Sequence, residues 1–404
     1  MKKGRFDMKK ILALLLALVM ALSLFACGKK DPDPQPEDNK PVNADDIKDE
    51  MTSADGKYEI AFVTDVGQLK DKSFNQGTFD GVKLYANANN LSYKYYQPAN
   101  GDQATDDDRF DAMKAAAENG AKVIVCAGFM QGTALAKAAA EFKDVSFIFV
   151  DGWAMADAKG NPLTNTLGVA FQEEQCGYLA GYAAVKEGYT KLGFTGGGGG
   201  TNPACCRYGY GYVQGADAAA AEMGADVTVE YVYGNQFFGD ADITAYMDNW
   251  YQTLGVEAVF ACGGGIYASA AEAAAKVGGK VIGVDVDQAG IIDGGYGDGM
   301  TVTSAMKGLA PTVDHMLTEV AAGNFANYGG KIESLGLVSG SDPEANYVQI
   351  PMGSTQWSDS FTQDDYKALV KDMFDGKITV SNDITAEPAS LATTATVNAY
   401  GNIK

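Results

Sequence analysis

Residue types that could hold a small polar molecule occur close together near the start of the predicted globular region. Asp65 follows a short apolar run, and Phe74 and Asn75 stand at the start of a predicted helix. A carboxylate accepts hydrogen bonds, an amide donates and accepts them, and an aromatic ring offers a flat apolar face. These groups would suit a cleft for a polar, planar ligand. A core residue followed by a helix cap would explain the Phe-Asn pair equally well.

The sequence contains little that indicates catalysis. His315 is the only histidine and lies within a predicted helix, whereas a Ser-His-Asp or Cys-His mechanism needs a histidine beside its nucleophile. The five glycines at 196–200 follow a strand, but Thr201-Asn202-Pro203 stands where a phosphate-binding loop has Gly-Lys-Ser/Thr. We expect these glycines to let the backbone pass close to a ligand or another lobe. No spacing typical of a zinc or calcium site occurs, so we expect neither a metal nor a cofactor.

Apolar runs alternate with helical stretches along most of the chain. The runs at 58–63 and 122–127 are continuous, as is typical of strands buried on both faces of a parallel sheet. Strands that alternate with helices of about 10–15 residues indicate βαβ units. Since the pattern repeats after residue 165, we predict an α/β fold of two doubly wound parallel-sheet lobes with a ligand cleft between them. Ligands bind outside the carboxyl ends of such strands, where we place Asp65, Asp151, Gly196 and Asp285.

The N-terminal segment carries a targeting signal. Basic residues precede an apolar run from Ile11 to Ala26, and Cys27 follows it. The end of this run, Leu-Phe-Ala-Cys, resembles the lipobox of a bacterial lipoprotein signal, in which the cysteine is diacylated and becomes the new N-terminus. A transmembrane anchor is the alternative, but a membrane span needs about 20 apolar residues and signal-peptide cores are shorter. Translation could start at Met1 or at Met8.

Composition bounds the partners of the folded part. The formal net charge is −21, and such a chain is repelled by polyphosphate, so we expect no nucleic-acid partner. Residues 28–57 combine four prolines with charged and polar residues, which predicts a linker with little to bury. The five cysteines that follow Cys27 do not form a disulfide scaffold, and we expect free thiols.

Several motifs resemble those of one known family. They include Asp71 to Gln76 (DKSFNQ), Phe171 to Gly181 (FQEEQCGYLAG), Phe194 to Gly197 (FTGG), Arg207 to Gly211 (RYGYG), Gly283 to Gln288 (GVDVDQ) and Thr303 to Lys307 (TSAMK). On these motifs the chain resembles the basic membrane protein (BMP) family, lipoproteins that act as purine nucleoside receptors of ABC importers. The resemblance covers about residues 57–380.

The resemblance implies a type I periplasmic-binding-protein fold that grips guanosine, inosine or adenosine between its lobes. It implies that Phe74 stacks on the base from one lobe and Phe238 from the other, with Phe237 as the alternative to Phe238. The polar roles that it implies are base or sugar recognition by Asp65, Asn75 and Asp151, ribose binding by Asp285 with Lys307, and close backbone approach at Gly264.

These observations predict a monomeric binding protein that is lipid-anchored through Cys27 on the extracytoplasmic face of the cell membrane. It would capture a purine nucleoside and deliver it to an ABC transporter permease, with no chemistry of its own. Two alternatives remain: a nucleoside-processing enzyme that uses Asp65 and Asp285, and a binding protein for a sugar or an autoinducer. The predicted organisation is a signal peptide at 1–26, lipidated Cys27 and linker at 27–56, lobe 1 at 57–165 plus 300–325, and lobe 2 at 166–299 plus 326–404.

Overall fold

The computed structural model describes residues 42–51, 53–66 and 68–403. The predicted signal peptide, the predicted lipidation site Cys27 and residues 28–41 of the predicted linker lie outside these ranges. No helix within them combines the length and the apolar character that a membrane span requires.

Lobe 1 is built on a parallel sheet. In the described chain this sheet has six strands in the order β11-β5-β4-β3-β1-β2. They are β1 (Ile60–Val63), β2 (Tyr93–Tyr96), β3 (Val123–Ala127), β4 (Ser146–Val150), β5 (Thr166–Phe171) and β11 (Lys331–Leu335). The helices packed on the sheet are α1 (Phe74–Asn89) and α9 (Leu309–Ala321) on one face, and α2 (Asp106–Glu118) and α3 (Gly132–Glu141) on the other. Strands β1 and β3 are apolar at every position because helices cover both faces of the sheet.

Lobe 2 is built on a second sheet, with seven strands among the described residues in the order β12-β10-β9-β8-β6-β7-β13. They are β6 (Lys191–Gly196), β7 (Thr228–Tyr233), β8 (Ala258–Cys262), β9 (Lys280–Asp285), β10 (Thr301–Lys307), β12 (Val348–Gln349) and β13 (Thr396–Asn402). Only β12, paired with β10, runs antiparallel to its neighbour in this described sheet. Its helices are α4 (Glu173–Lys186), α5 (Pro203–Met223), α6 (Ala241–Asn249), α7 (Tyr267–Ala275), α8 (Ala289–Tyr296) and α10 (Gln363–Phe374).

Glycines bring α4 and α5 into backbone contact. A Cβ atom on Gly181 would lie 2.1 Å from the Tyr212 carbonyl oxygen, and one on Gly215 would lie 2.0 Å from that of Tyr178. Any larger residue at these two positions would push the helices apart. Gly181 belongs to the motif at 171–181, and Gly211 in the motif at 207–211 packs in the same way, with a Cβ 2.0 Å from the Glu174 carbonyl oxygen.

The chain crosses between the lobes at three neighbouring points. They lie between β5 and α4, between β10 and α9, and between β11 and β12. The Gln172 N–H donates to the Leu335 carbonyl at 2.8 Å, the Gly308 N–H to the Tyr347 carbonyl at 2.7 Å, and the Tyr347 N–H to the Gly336 carbonyl at 3.2 Å. The three crossing segments therefore run side by side and form one hydrogen-bonded connection.

The two parallel-sheet lobes are as predicted, but the predicted lobe boundaries differ from the sheet pairing. Residues 166–171 and 331–335 lie in the sheet of lobe 1, where we predicted lobe 2, and residues 301–307 lie in the sheet of lobe 2, where we predicted lobe 1. The reason is physical: each of these strands is apolar or amphipathic in the same way as its neighbours, and only its hydrogen-bonding partner decides the lobe.

Two further expectations can be compared with the described residues. The five cysteines after Cys27 are free, as predicted, and the structure shows all of them buried: Cys126, Cys176, Cys205, Cys206 and Cys262. The predicted linker, in contrast, extends too far. Its last part is ordered, since residues 44–46 form a 3₁₀ turn in which Ala44 is buried.

Candidate ligand-binding site

A cavity of about 700 Å³ lies between the carboxyl ends of the two sheets. Volumes of this size are typical of small-molecule sites. Both lobes line it, because parallel strands bring their carboxyl ends to one edge of each sheet. All eight residues predicted to bind a ligand line this cavity: Asp65, Phe74, Asn75, Asp151, Phe238, Gly264, Asp285 and Lys307.

Asp65 follows β1 and lies against the backbone that follows β3. Its Oδ1 accepts a hydrogen bond from the Val66 N–H at 2.6 Å. A Cβ atom on Gly128, whose φ is +104°, would lie only 1.8 Å from Asp65 Oδ2. Gly128 is therefore required twice, for its left-handed backbone and for the space that the carboxylate occupies.

Asp71 organises the start of α1. Its carboxylate accepts the backbone N–H groups of Ser73 at 2.9 Å, Asn75 at 2.9 Å and Gln76 at 3.0 Å, and so satisfies donors that a helix N-terminus leaves unpaired. Burial raises the pKa of Asp71 to about 6. Sequence reasoning assigned no role to this residue, although an aspartate just before a helix start is a recognisable capping signal.

Asp71 also fixes the orientation of the Asn75 amide. Asn75 Nδ2 donates to Asp71 Oδ2 at 3.3 Å, and an ionised carboxylate can pair only with the NH₂ end of the amide. Asn75 Oδ1 therefore points away from Asp71, and it has no hydrogen-bond partner among the described residues although the side chain is 4% exposed. Buried acceptors without a partner are uncommon, and Asn75 lines the cavity.

Lys307 ends β10 and joins three carboxylates. Its Nζ lies 2.7 Å from Asp151, 3.4 Å from Glu173 and 3.6 Å from Asp285. Burial alone would lower the pKa of Lys307, but these carboxylates outweigh burial and hold the pKa above its usual value. Burial raises the pKa of Asp151 to about 6, against the opposing effect of Lys307.

Two hydrogen bonds join the lobes beside the cavity. Ser73 Oγ donates to Asp285 Oδ2 at 2.6 Å, and Gln288 Nε2 donates to the Lys72 carbonyl at 3.0 Å. Asp151 and Asp285 both have a left-handed backbone, with φ of 55° and 67°. Non-glycine residues in this conformation are uncommon and concentrate at binding sites.

The two adjacent phenylalanines of lobe 2 differ in their surroundings. Phe238 is 37% exposed and faces the cavity. Phe237 also lines the cavity but is more buried, and its ring packs so closely on the glycine run that a Cβ on Gly197 would lie 2.5 Å from it. Gly264 was predicted to let the backbone come close to the ligand; in the structure it has φ of +51°, and the group next to it is the Phe237 carbonyl, 2.4 Å from the position of a Cβ.

The structure also brings in polar residues that sequence reasoning left without a role. Tyr208 donates its hydroxyl to Asp285 Oδ1 at 3.3 Å. Arg207 Nε donates to Glu173 Oε2 at 2.6 Å, and Glu173 in turn contacts Lys307. Tyr208, Arg207 and Glu173 all lie in the motifs at 171–181 and 207–211. The motifs therefore pointed to the segments that hold these residues, but they did not predict which side chains pair with each other.

The family model Bmp, described as "ABC transporter substrate-binding protein PnrA-like", matches residues 58–342. The chain belongs to this family. It is thus a substrate-binding protein of the ABC-transporter class, and the family resemblance seen in the sequence is confirmed.

Relatives of this Bmp-family chain support the same conclusion. The nucleoside-binding protein BmpA of an ABC transporter from Lactococcus lactis subsp. cremoris is 28% identical over 80% of this chain and 88% of its own length. Basic membrane protein B from Borrelia garinii subsp. bavariensis is 28% identical over 72% of this chain and 82% of its own. A solved solute-binding protein of an ABC transporter system from Conexibacter woesei shares the fold, with a TM-score of 0.59 and 20% identity over 80% of this chain and 99% of that one. The predicted type I periplasmic-binding-protein fold is confirmed.

Proposed function

We propose that the cavity binds a purine nucleoside and that this Bmp-family protein delivers it to an ABC permease from the extracytoplasmic face of the membrane. The observation that carries the proposal is the pair of aromatic residues, Phe74 and Phe238, that line one cavity from opposite lobes together with buried carboxylates. The printed name of the Lactococcus relative, a nucleoside-binding protein, supports the same ligand class.

The base would lie between the two phenylalanines. Base–aromatic stacking contributes about 1–3 kcal/mol per base and accepts any flat ring. The Lys307 ammonium already lies over one face of the Phe74 ring, 4.7 Å from its centroid, which leaves the other face for the base. Stacking alone does not select a purine, so polar groups must supply the selectivity.

Asn75 is the group that we expect to read the base. Its Oδ1 is held as an acceptor by Asp71 and needs an N–H donor, which the edges of guanine, hypoxanthine and adenine supply. Asp65 and Asp151 would take further base or sugar donors. Asp285 and Lys307 would bind the ribose hydroxyls, because a carboxylate accepts from two adjacent hydroxyls.

The remaining predicted features complete the proposal. Diacylated Cys27 would anchor a monomer, since two acyl chains give stable membrane attachment where one gives only marginal attachment. Replacing Cys27 with alanine should release the protein from the membrane fraction. Retention of that variant in the membrane would favour a transmembrane anchor instead.

Calorimetry on the purified protein tests the ligand. We expect guanosine, inosine or adenosine to bind with a dissociation constant well below about 1 mM, ribose and galactose to bind far more weakly, and native mass spectrometry to reveal a nucleoside carried through purification. Release of free base from guanosine would establish an enzyme instead. Binding of a sugar without any nucleoside would establish the other alternative.

A further inference from the structure

A segment that precedes lobe 1 folds back onto α1, the helix that carries Phe74 and Asn75. This segment, residues 43–51, is called the strap here. The carbonyl of Ala44 accepts a hydrogen bond from Lys83 Nζ at 2.8 Å, and the Lys83 side chain is buried. The same Nζ lies 3.1 Å from Asp80 and 3.7 Å from Asp49. A buried ammonium needs these partners, so the strap is part of the packed lobe.

The other end of the strap is held by β2. The Tyr93 hydroxyl donates to the Lys48 carbonyl, and the Met51 N–H donates to the Tyr93 carbonyl at 3.2 Å. Ile47 and Met51 pack half-buried against the core. The strap is therefore fixed to lobe 1 at both ends.

From this fixed position the strap reaches residues 68–76. This segment, the loop before α1 together with the first turn of α1, is called the cleft loop here. Asp49 Oδ2 lies 2.6 Å from Lys70 Nζ. Asp45 Oδ1 accepts a hydrogen bond from Gln76 Nε2 at 3.2 Å and lies 3.7 Å from Lys72 Nζ. The two carboxylates thus hold the loop on both sides of Asp71.

The cleft loop is a segment that needs such support. Lys72 has a left-handed backbone, with φ of 55°, which disfavours a residue with a side chain. The Lys72 carbonyl and the Ser73 hydroxyl are the groups that pair with Gln288 and Asp285 of lobe 2. The loop therefore lies between the strap on one side and the cavity with the opposite lobe on the other.

We propose that Asp45 and Asp49 are positioning residues: they hold the cleft loop in the conformation that the ligand meets. The end of the predicted linker is then a part of the binding site. The effect on nucleoside affinity rests on the proposed function, whereas the effect on the loop itself does not.

The test compares the full-length protein in detergent micelles with an Asp45→Ala/Asp49→Ala double variant. We expect the double variant to bind guanosine about fivefold more weakly, since the exposed pairs with Lys70 and Lys72 each contribute modestly. We also expect faster hydrogen exchange at the Ser73, Asn75 and Gln76 amides without ligand. The matched control is Asp46→Ala, because the Asp46 carboxylate has no partner in the part of the chain that the structure describes. Asp45→Ala alone leaves the Lys83 ion pairs intact and keeps the test valid if the double variant unfolds.

The outcomes separate the alternatives. The double variant could have a lower melting temperature but unchanged guanosine affinity and unchanged hydrogen exchange in the cleft loop. That result would show that the strap only stabilises the fold, and it would overturn the proposal. Equal effects of Asp45→Ala and Asp46→Ala would do the same. If the native protein binds no purine nucleoside, the proposed function fails, and the exchange measurement still decides whether the strap positions the loop.

Discussion

The ammonium of Lys307 lies 2.7 Å from a carboxylate oxygen of Asp151, although Lys307 ends a strand of one sheet and Asp151 follows a strand of the other. Both side chains are largely removed from water and line the cavity. The pair therefore joins the two lobes inside the cavity itself. If a ligand binds Asp151 or Lys307 as proposed, it shares these groups with the contact between the lobes.

Replacing Lys307 with methionine should lower the free energy of unfolding by about 3–5 kcal/mol, because breaking a buried ion pair leaves uncompensated charge. Here Asp151, Glu173 and Asp285 would all lose their common cation. Urea denaturation measures the change. The control is Lys143→Met at an exposed position, which should stay within about 0.5 kcal/mol of the native protein. A loss as small as that of the control would show that the carboxylates need no cation.

Phe74→Ala should weaken purine nucleoside binding at least about tenfold without unfolding the protein, because the base loses a stacking face. Calorimetry gives the affinity and circular dichroism the fold. Phe374→Ala is the matched control, since Phe374 is 47% exposed and lies outside the cavity lining. Unchanged affinity in the Phe74 variant would remove this residue from the site.

Alanine substitutions at Phe237 and Phe238 should differ in their effects on ligand affinity and on the melting temperature. Phe238→Ala should weaken binding and leave the melting temperature nearly unchanged, because this exposed ring faces the cavity. Phe237→Ala should lower the melting temperature more, because its ring packs on the glycine run at 197–198. Thermal melts paired with calorimetry measure both. The opposite pattern would assign the stacking role to Phe237.

Gly128→Ala should affect ligand affinity more strongly than the free energy of unfolding. The new methyl group would displace the Asp65 carboxylate, and ligand binding should be lost. Gly160→Ala is a control with a similar backbone, φ of +82°, and nothing within 4 Å of its Cβ. It should show the cost of the left-handed backbone, about 1 kcal/mol, with no loss of affinity. Similar affinities in the two variants would mean that Asp65 does not contact the ligand.

Glu174→Gln should stabilise the protein at pH 8 and change little at pH 4. Burial raises the pKa of Glu174 to about 7, and its Oε2 has no hydrogen-bond partner within the described ranges. The folded protein therefore keeps the Glu174 carboxyl group protonated up to about pH 7, whereas the unfolded chain loses this proton near pH 4.5. The free energy of unfolding should decrease as the pH rises from about 4.5, the pKa of this group in the unfolded chain, through 7. The total decrease is up to about 3 kcal/mol.

Thermal melts across pH 4–8 measure this change, and the neighbouring residue gives the control. Glu173→Gln should destabilise the protein at neutral pH, because it removes the partner of Arg207 and one partner of Lys307. A Glu174→Gln variant with the same pH dependence as the native protein would contradict the raised pKa.

Local sequence patterns predicted the fold and the positions of the carboxylates well. Asp65 and Asp285 could be assigned to strand ends because continuous apolar runs mark buried parallel strands. The cation that Asp151 meets could not be predicted in this way, since Lys307 is 156 residues away and the contact depends on which lobe holds β10.

The strap shows a second limit of sequence reasoning. Its composition is that of a linker, because only Ile47 and Met51 offer apolar side chains of any size. What holds it in place is mainly a buried ammonium, Lys83, and two hydrogen bonds with Tyr93 of β2. Neither leaves a periodic signal in the sequence, so the ordered end of the linker was missed.

The three hydrogen-bonded crossings between the lobes have a mechanical consequence. We expect three adjacent crossing segments to resist twisting of the lobes more than one or two would, so that bending about a single hinge axis is the easiest motion. Gln172, Gly308 and Gly336 stand at these crossings, and two of them are glycines. Opening and closing of the cleft would then be rotation about one hinge axis. An open and a closed form would differ in a single quantity, the angle between the two lobes.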